Sequence, residues 1–169
     1  ITPVVDISSV YDSHGYHAIN FKKVDPRYES PKATYQDLIN AVHEKGMKII
    51  QDIVVNHSGN FGEENIFPLF KKTDTNLDDV DKCMVKDDPN GLLPSDYDSL
   101  QPSVQYGKRI DAMKNDNTDT ENIYHHEKSL QWESFLEQTG QIAGDCVDLN
   151  TENPVVAKYL RDAYLGYIN

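Results

Sequence analysis

The chain has 169 residues and a formal net charge of −12, because 28 Asp and Glu residues outnumber 16 Lys and Arg residues. This charge argues against binding to nucleic acid or to an anionic membrane surface, both of which require a basic face. The hydrophobic fraction of 38% is sufficient for a buried core. No apolar run approaches the roughly 20 residues of a membrane-spanning helix. We therefore expect one ordinary domain or a large part of a bigger one.

The first part of the chain, residues 1–57, alternates between the patterns of strands and helices. Residues 1–5 have the pattern of a strand end that runs into a loop. Thr34 is suited to cap the start of a helix and Gly46 to end it. Residues 47–55 are almost continuously apolar and rich in β-branched side chains, which is typical of a strand buried on both faces of a parallel sheet. The apolar face of the predicted helix consists of Tyr35, Leu38, Ile39 and Val42.

The middle part, residues 58–144, is rich in Asp, Asn, Gly, Pro and Ser and has no sustained period. A plain loop of this length does not fit a compact domain, so the stretch must be an inserted subdomain or a disordered segment. Scattered aromatic residues favour the subdomain. They are Phe61, Phe67, Phe70, Tyr97, Tyr106, Tyr124, Trp132 and Phe135.

A regular pattern returns in residues 145–169. Asn153 and Pro154 form an N-cap and first-turn pair, which predicts the start of a helix. An α/β protein would next form another strand, so we expect this chain to be part of a larger domain. The apolar side of the helix consists of Val155, Val156, Tyr159, Leu160, Ala163, Tyr164, Tyr167 and Ile168.

Polar side chains lie within and directly after the predicted buried strand. Asp52 is inside it, and Asn56 and His57 follow it. In parallel α/β folds, functional side chains gather at the carboxyl ends of strands, so these residues are candidates for a site. An ordinary turn with a surface histidine would give the same pattern, and the pattern alone leaves both interpretations open.

Three segments, in the same order, resemble signature regions of the α-amylase superfamily, glycoside hydrolase family 13. DIVVNH at 52–57 resembles the first signature region, HGYHAIN at 14–20 resembles a Tyr-His-Gly-Tyr-Trp segment, and VDLN at 147–150 resembles a Leu-Pro-Asp-Leu-Asn region. The sequence around them is similar to starch-utilisation amylases of gut bacteria, the SusG type.

The resemblance implies an α/β fold that is part of a (β/α)8 TIM barrel with an irregular inserted domain B. Residues 1–57 would be a barrel segment with the end of strand 2, helix 2 and strand 3. Residues 58–144 would be the domain B insertion, and residues 145–169 the return to the barrel with helix 3. The remainder of the barrel is not in this chain.

The resemblance also implies roles for five residues. Tyr16 would be the aromatic platform under the sugar ring at the cleavage subsite. His57 would hydrogen-bond the primary hydroxyl of that glucose, and His14 would shape the same subsite. Asn56 and Asp148 would give oxygen ligands to a structural Ca²⁺, which prefers carboxylate and carbonyl oxygens.

The chain departs from the family segments at two places. His17 stands where the family generally has Trp, and Cys146-Val147 replaces the common Leu-Pro. A further calcium ligand is expected from the insertion, with Asp145 and Glu137 as candidates.

Retaining glycoside hydrolysis needs two carboxylates that flank the scissile bond. In the family these follow the fourth and fifth barrel strands, and a third, stabilising Asp follows the seventh. None of the acids in this chain can be assigned to these roles, so we expect no catalytic residue here. The nucleophile and the acid/base are expected after Asn169, and the chain alone is expected to be inactive.

The resemblance implies that the parent protein cleaves internal α-1,4 bonds of starch and maltooligosaccharides. Neopullulanase or maltogenic specificity would fit the same motifs. A non-catalytic, calcium-dependent glucan-binding module is the alternative from another class. The parent would be secreted or anchored at the cell surface on the outer membrane, with other starch-utilisation proteins as possible partners.

Three further patterns carry less information. Residues 74–78 resemble the start of an EF-hand loop but lack its glycine and its bidentate glutamate, which argues against calcium binding there. His125 and His126 are adjacent, and adjacent side chains point apart, which argues against one shared metal site. The two cysteines, Cys83 and Cys146, do not define a disulfide framework.

Overall fold

The computed structural model describes residues 1–8, 14–73 and 83–168. Within these ranges, six short strands form three antiparallel pairs, β1 with β2, β3 with β6, and β4 with β5. The strands are β1 (Val5–Ile7), β2 (Ala18–Val24), β3 (His57–Gly59), β4 (Phe70–Lys72), β5 (Met84–Lys86) and β6 (Cys146–Asp148). The α-helices are α1 (Tyr35–Glu44), α2 (Pro102–Met113), α3 (Leu136–Thr139) and α4 (Pro154–Leu165).

Two helices begin where the sequence predicts. Thr34 caps α1 by accepting a hydrogen bond from the backbone N–H of Asp37, whose carboxylate accepts one in return from the N–H of Thr34 at 2.8 Å. Gly46 follows α1 with a φ of 71°, a left-handed conformation that suits glycine. Asn153 caps α4 by accepting from the N–H of Val155 at 2.9 Å. These local predictions are confirmed.

The prediction of a buried strand at 47–55 is wrong for this structure. The segment forms no assigned strand and is mostly exposed, with Ile50 at 84% exposure. The amino terminus of Ile1 donates to the carbonyl of Ile50 at 2.7 Å, and the N–H of Asp52 donates to the carbonyl of Ile1 at 2.9 Å. These two hydrogen bonds have the pattern of parallel strands, in which one residue, here Ile1, bonds to two residues of the opposite segment.

The segment is held to the rest of the structure by hydrogen bonds. The hydroxyl of Tyr164 donates to the carbonyl of Val54 at 2.8 Å, and the hydroxyl of Tyr35 donates to the side chain of Gln51 at 2.7 Å. These are polar contacts, and they leave apolar side chains open to solvent. The predicted apolar face of α1 is also only partly buried, since Tyr35 is buried but Leu38 is 50% exposed.

One hydrophobic cluster joins all three parts of the chain. Phe21 of β2 lies edge-on to Tyr159 and Tyr164 of α4, at ring-centroid distances of 6.5 and 6.0 Å. The middle part, residues 58–144, adds several buried side chains, whereas Trp132 and Phe135 remain exposed. The buried ones include Phe67, Leu69, Phe70, Tyr97, Met113, Ile123 and Tyr124.

The described residues of the middle part are therefore folded against the core, which favours the inserted subdomain over a disordered segment. Its boundaries at 58 and 144 stay a prediction. The EF-hand-like residues 74–78 lie outside the residues that the structure describes. Among the described helices, none has the length and apolar character needed to cross a bilayer.

Candidate functional site

Strands β3 and β6 bring two of the three sequence segments together. His57 lies directly opposite Asp148 in the antiparallel pair, and Gly59 lies opposite Cys146. The ladder continues beyond β3, because the N–H of Leu149 donates to the carbonyl of Asn56 at 2.8 Å. Residues that are about 90 positions apart in the sequence therefore lie directly opposite each other in one strand pair.

The third segment, with His14 and Tyr16, lies against the same strand pair. The Nε2 atom of His57 is 2.9 Å from the carbonyl oxygen of Tyr16. The rings of His14 and Tyr16 are 5.1 Å apart between centroids. Gly15 allows this turn, since its φ is 81° and a Cβ there would lie 2.3 Å from the carbonyl oxygen of Pro3. The structure thus brings His14, Tyr16 and His57 together.

Tyr16 has a carboxylate partner that is itself part of the first signature segment. Its hydroxyl donates to Oδ2 of Asp52 at 2.7 Å. This hydrogen bond stabilises the protonated hydroxyl and raises the pKa of Tyr16. The bond fixes the ring of Tyr16 relative to the residues that lead into β3, as a positioned aromatic platform requires.

Both ring nitrogens of His57 already have partners. Its Nε2 donates to the carbonyl of Tyr16, while its Nδ1, 3.3 Å from the amide nitrogen of Asn56, accepts from that amide. His57 is also largely buried, at 8% exposure. A sugar hydroxyl would therefore have to replace one of these two hydrogen bonds to bind the imidazole.

Asp148 is a buried carboxylate whose hydrogen-bond donors are an imidazole and an amide. It is 3% exposed, and its Oδ2 accepts from Nδ1 of His125 at 2.7 Å. Burial raises the pKa of Asp148, and hydrogen bonds with His125 and Asn56 only partly offset this effect. The second ring nitrogen of His125 lies 3.1 Å from a carboxylate oxygen of Glu152.

The pair of Asn56 and Asp148 has the chemistry expected of a calcium site. Asn56 carries an amide oxygen and Asp148 a carboxylate, and the two side chains are hydrogen-bonded to each other. A buried carboxylate is stabilised by a bound cation. His125 holds one of the carboxylate oxygens, Oδ2. Calcium binding by these residues stays a prediction.

The two candidates for a further calcium ligand have other partners. The carboxylate of Asp145 lies 3.1 Å from Nε2 of His17. Glu137 is exposed and accepts a hydrogen bond from the N–H of Glu133 at 3.0 Å.

His125 and His126 point to different carboxylates, as the sequence predicts for adjacent residues. His126 lies between Asp116 and Asp119, with ring nitrogens 2.7 and 3.0 Å from their oxygens. Burial lowers the pKa of His126, but the two carboxylates outweigh this effect and the pKa is raised. The role of His125 beside Asp148 was missed by sequence reasoning, because no local motif signals a contact 23 residues away.

A cavity of about 490 Å³ lies beside the Asp148 cluster. Its walls combine aromatic rings with carboxylate, amide and imidazole groups. The lining residues include Tyr124, His125, His126, Phe135, Asn150 and Glu152.

Sequence comparisons relate nearly the whole chain to known proteins. The family model described as "Alpha amylase, catalytic domain" matches residues 1–169. A cyclomaltodextrin glucanotransferase of Geobacillus stearothermophilus is 28% identical over 165 residues, which is 97% of this chain and 18% of that protein. The chain thus spans under a fifth of the length of this curated relative.

Solved structures resemble the whole chain. A cyclomaltodextrin glucanotransferase with a three-domain ABC distribution has a TM-score of 0.54 and 27% identity, with coverage of 100% of this chain and 30% of that one. An α-amylase from Geobacillus thermoleovorans, complexed with acarbose, has a TM-score of 0.55 and 23% identity, with coverage of 99% and 26%. The described structure therefore corresponds to part of a barrel enzyme.

Proposed function

The chain belongs to the alpha-amylase family, and from this we propose that the protein carrying it cleaves internal α-1,4-glucosidic bonds of starch and related glucans. The cleavage would proceed with retention of configuration, through carboxylates that are not among the residues of this chain. The observation that carries the proposal is the meeting of His57, Tyr16 and Asp148, three residues far apart in sequence, around one strand pair. This chain would form one wall of the substrate cleft.

The groups around Tyr16 support a sugar subsite. The apolar face of a glucose ring stacks on a flat aromatic ring, while its hydroxyls need hydrogen-bonding partners at the edge. Tyr16 offers such a ring, His14 lies beside it, and the imidazole of His57 is 2.9 Å from the Tyr16 backbone. If a sugar hydroxyl replaced the carbonyl of Tyr16 as the acceptor, Nε2 of His57 would still have a hydrogen-bond partner.

We also propose a structural Ca²⁺ held by Asn56 and Asp148. When bound, the ion would supply positive charge to a carboxylate that burial otherwise disfavours. Asn56 directly precedes β3 and Asp148 ends β6, so an ion bound to both residues would hold the two strands together. His57, opposite Asp148, would be positioned by the same ion.

Transfer of glucan chains is a second candidate activity. The relative from Geobacillus stearothermophilus and one of the solved structures are both named cyclomaltodextrin glucanotransferases. Hydrolysis and transfer differ in what accepts the glycosyl group, and this chain holds no residue that we can assign to that choice. Neopullulanase or maltogenic specificity, SusG-type starch utilisation and a non-catalytic glucan-binding module are narrower or weaker alternatives.

The proposed activity is tested on the full-length protein with soluble starch. Hydrolysis predicts new reducing ends whose first-formed anomer is α by NMR, whereas transfer predicts cyclic or elongated glucans without a matching rise in reducing ends. Binding of maltooligosaccharides without any product would support the glucan-binding module and overturn the enzyme.

The subsite is tested with a matched pair of variants. Tyr16→Ala removes the ring, and we expect kcat/KM for maltooligosaccharides to fall by about 10–100-fold. Tyr16→Phe keeps the ring and removes only the hydrogen bond to Asp52, so its loss should be smaller. Equal losses in both variants would contradict the stacking role.

The substrate class also suggests where the protein works. Starch polymers are too large to enter cells, so we propose a secreted or outer-membrane-anchored parent, with other starch-utilisation proteins as partners. Fractionation of cells that express the full-length protein tests this, and activity confined to the cytoplasm would contradict it.

A further inference from the structure

Three metal-ligating side chains meet next to the proposed subsite. Nε2 of His17 is 3.1 Å from Oδ2 of Asp145, and Sγ of Cys146 is 3.9 Å from Oδ1 of Asp145. One ligand atom from each residue lies within 4.8 Å of the other two. In a tetrahedral zinc site the ligand atoms lie about 3.3–3.7 Å apart, so small side-chain adjustments would suffice for all three to bind one ion.

The backbone holds these residues in place before any ion binds. The carbonyl of His17 accepts from the N–H of Ser8 at 3.0 Å, and a Cβ on Gly59 would lie 2.9 Å from that carbonyl oxygen. Cys146 lies in β6 opposite Gly59, and its N–H donates to the carbonyl of Ala143 at 3.1 Å. The missing side chain at Gly59 thus lets the backbone of His17 approach β3.

We propose that His17, Asp145 and Cys146 bind a zinc-class divalent cation. Nitrogen, carboxylate oxygen and thiolate sulfur are the ligands that Zn²⁺ uses. On binding, the thiol proton of Cys146 leaves to solvent, and the imidazole of His17 presents the lone pair of Nε2 while its proton resides on Nδ1. The side chains of His17 and Asp145 are 21% and 43% exposed, so a water molecule can occupy the fourth position.

This site is distinct from the proposed calcium site. Asn56 and Asp148 offer oxygen ligands, which suit a hard cation, whereas a thiolate and an imidazole favour softer transition metals. His17 and Cys146 are also among the residues at which the chain departs from the family segments. Their contact in space gives these two departures a common explanation.

The test uses Co²⁺ as a spectroscopic probe on the full-length protein. Stoichiometric binding should produce a thiolate-to-cobalt charge-transfer band in the near ultraviolet, which Zn²⁺ abolishes and Ca²⁺ does not. Cys146→Ser should remove the band, and Cys83→Ser, which alters another buried cysteine, should leave it unchanged. Absence of the band in the parent protein, or its retention in Cys146→Ser, would overturn the proposal.

Variants of the other two ligands give a second measurement that does not require changing a buried residue. Asp145→Asn and His17→Gln should weaken Zn²⁺ binding by about 10–100-fold or more, since loss of even an outer-shell partner costs that much. His43→Gln, on the exposed surface of α1, is the matched control. Equal Zn²⁺ affinity in His17→Gln and His43→Gln would contradict the site, whatever the activity on starch.

Discussion

Two groups of buried carboxylates in this molecule are neutralised in different ways. Asp6 and Asp25 are both fully buried, and Nζ of Lys72 donates to them at 2.7 and 2.9 Å. Asp148 is held instead by an imidazole, that of His125, and by an amide. An ammonium is a cationic partner for two carboxylates, whereas an amide carries no formal charge to offset that of a carboxylate.

The two clusters also differ in how the partners act on the pKa of each carboxylate. Burial raises the pKa of Asp25, but hydrogen bonds from Arg27 and Lys72 outweigh it and lower the pKa to about 2. Burial also raises the pKa of Asp6, despite its hydrogen bond with Lys72, and that of Asp148, despite its partners. The Lys72 cluster therefore stabilises the ionised carboxylate of Asp25, while the Asp148 cluster leaves a carboxylate that a further positive charge would stabilise.

The largest expected effect is that of Lys72→Met. The variant leaves Asp6 and Asp25 buried without their shared ammonium, and we expect the free energy of unfolding at pH 7 to fall by about 3–5 kcal/mol. Urea denaturation measures this change.

The matched control is Lys71→Met on the same strand. Lys71 is half exposed and pairs with Asp87 at 3.5 Å, so its loss should cost less than about 1 kcal/mol. If the two variants are equally stable, the Lys72 cluster is not the structural cross-link described above.

Local and long-range features of this structure differ in how far the sequence predicts them. The caps at Thr34 and Asn153 depend on neighbours within a few residues, and they are predictable. The contacts of Lys72 with Asp6 and of His125 with Asp148 join distant segments, and no local pattern signals them.

The segment at 47–55 shows that a local pattern can also predict a feature that the structure does not have. Its β-branched sequence predicts a buried strand, but burial depends on what packs against the segment. In the described structure Ile50 and Ile53 are 84% and 51% exposed. Resemblance to family segments, rather than periodicity, predicts Tyr16, His57 and Asp148 as a group.

The second prediction concerns the calcium-dependent stability of the Asp148 cluster. If Asn56 and Asp148 bind Ca²⁺, the ion should stabilise the protein by about 2.7 kcal/mol at 100 times its Kd. Asp148→Asn should lose this increment. In EDTA the stability of the variant should differ less from that of the parent protein, because burial already disfavours the charged carboxylate.

Thermal unfolding with Ca²⁺ and with EDTA measures the increment. Asp98→Asn removes an exposed carboxylate that pairs with Lys86, and it should keep the full calcium effect. A calcium effect that survives in Asp148→Asn would place the ion elsewhere.

The third prediction concerns Gly59, which lies opposite Cys146 in the pair of β3 and β6. A Cβ there would lie 2.8 Å from Oγ of Ser8 and 2.9 Å from the carbonyl oxygen of His17, so Gly59→Ala forces β3 and β2 apart. We expect a loss of about 1–3 kcal/mol in the free energy of unfolding.

Gly107 in α2 is the matched control, since a Cβ there meets nothing within 4 Å. Gly107→Ala should stabilise by about 0.5–1 kcal/mol, because alanine loses less entropy in a helix. Equal effects of the two alanines would show that the contact at Gly59 is not tight.

The smallest effect is expected at His126, where an imidazole again neutralises a buried acid, Asp119. The pKa of His126 is raised in the folded protein, so its contribution to stability is fully present below the unfolded value of about 6.5 and is lost as the pH rises through the folded value. His126→Gln should therefore be less stable than the parent protein at pH 5.5, and the difference should shrink as the pH rises. Asp116→Asn, which removes the more exposed of the two carboxylates, should keep part of this pH dependence. A difference that is the same at every pH would mean that the imidazole of His126 acts by packing and that its titration does not contribute to stability.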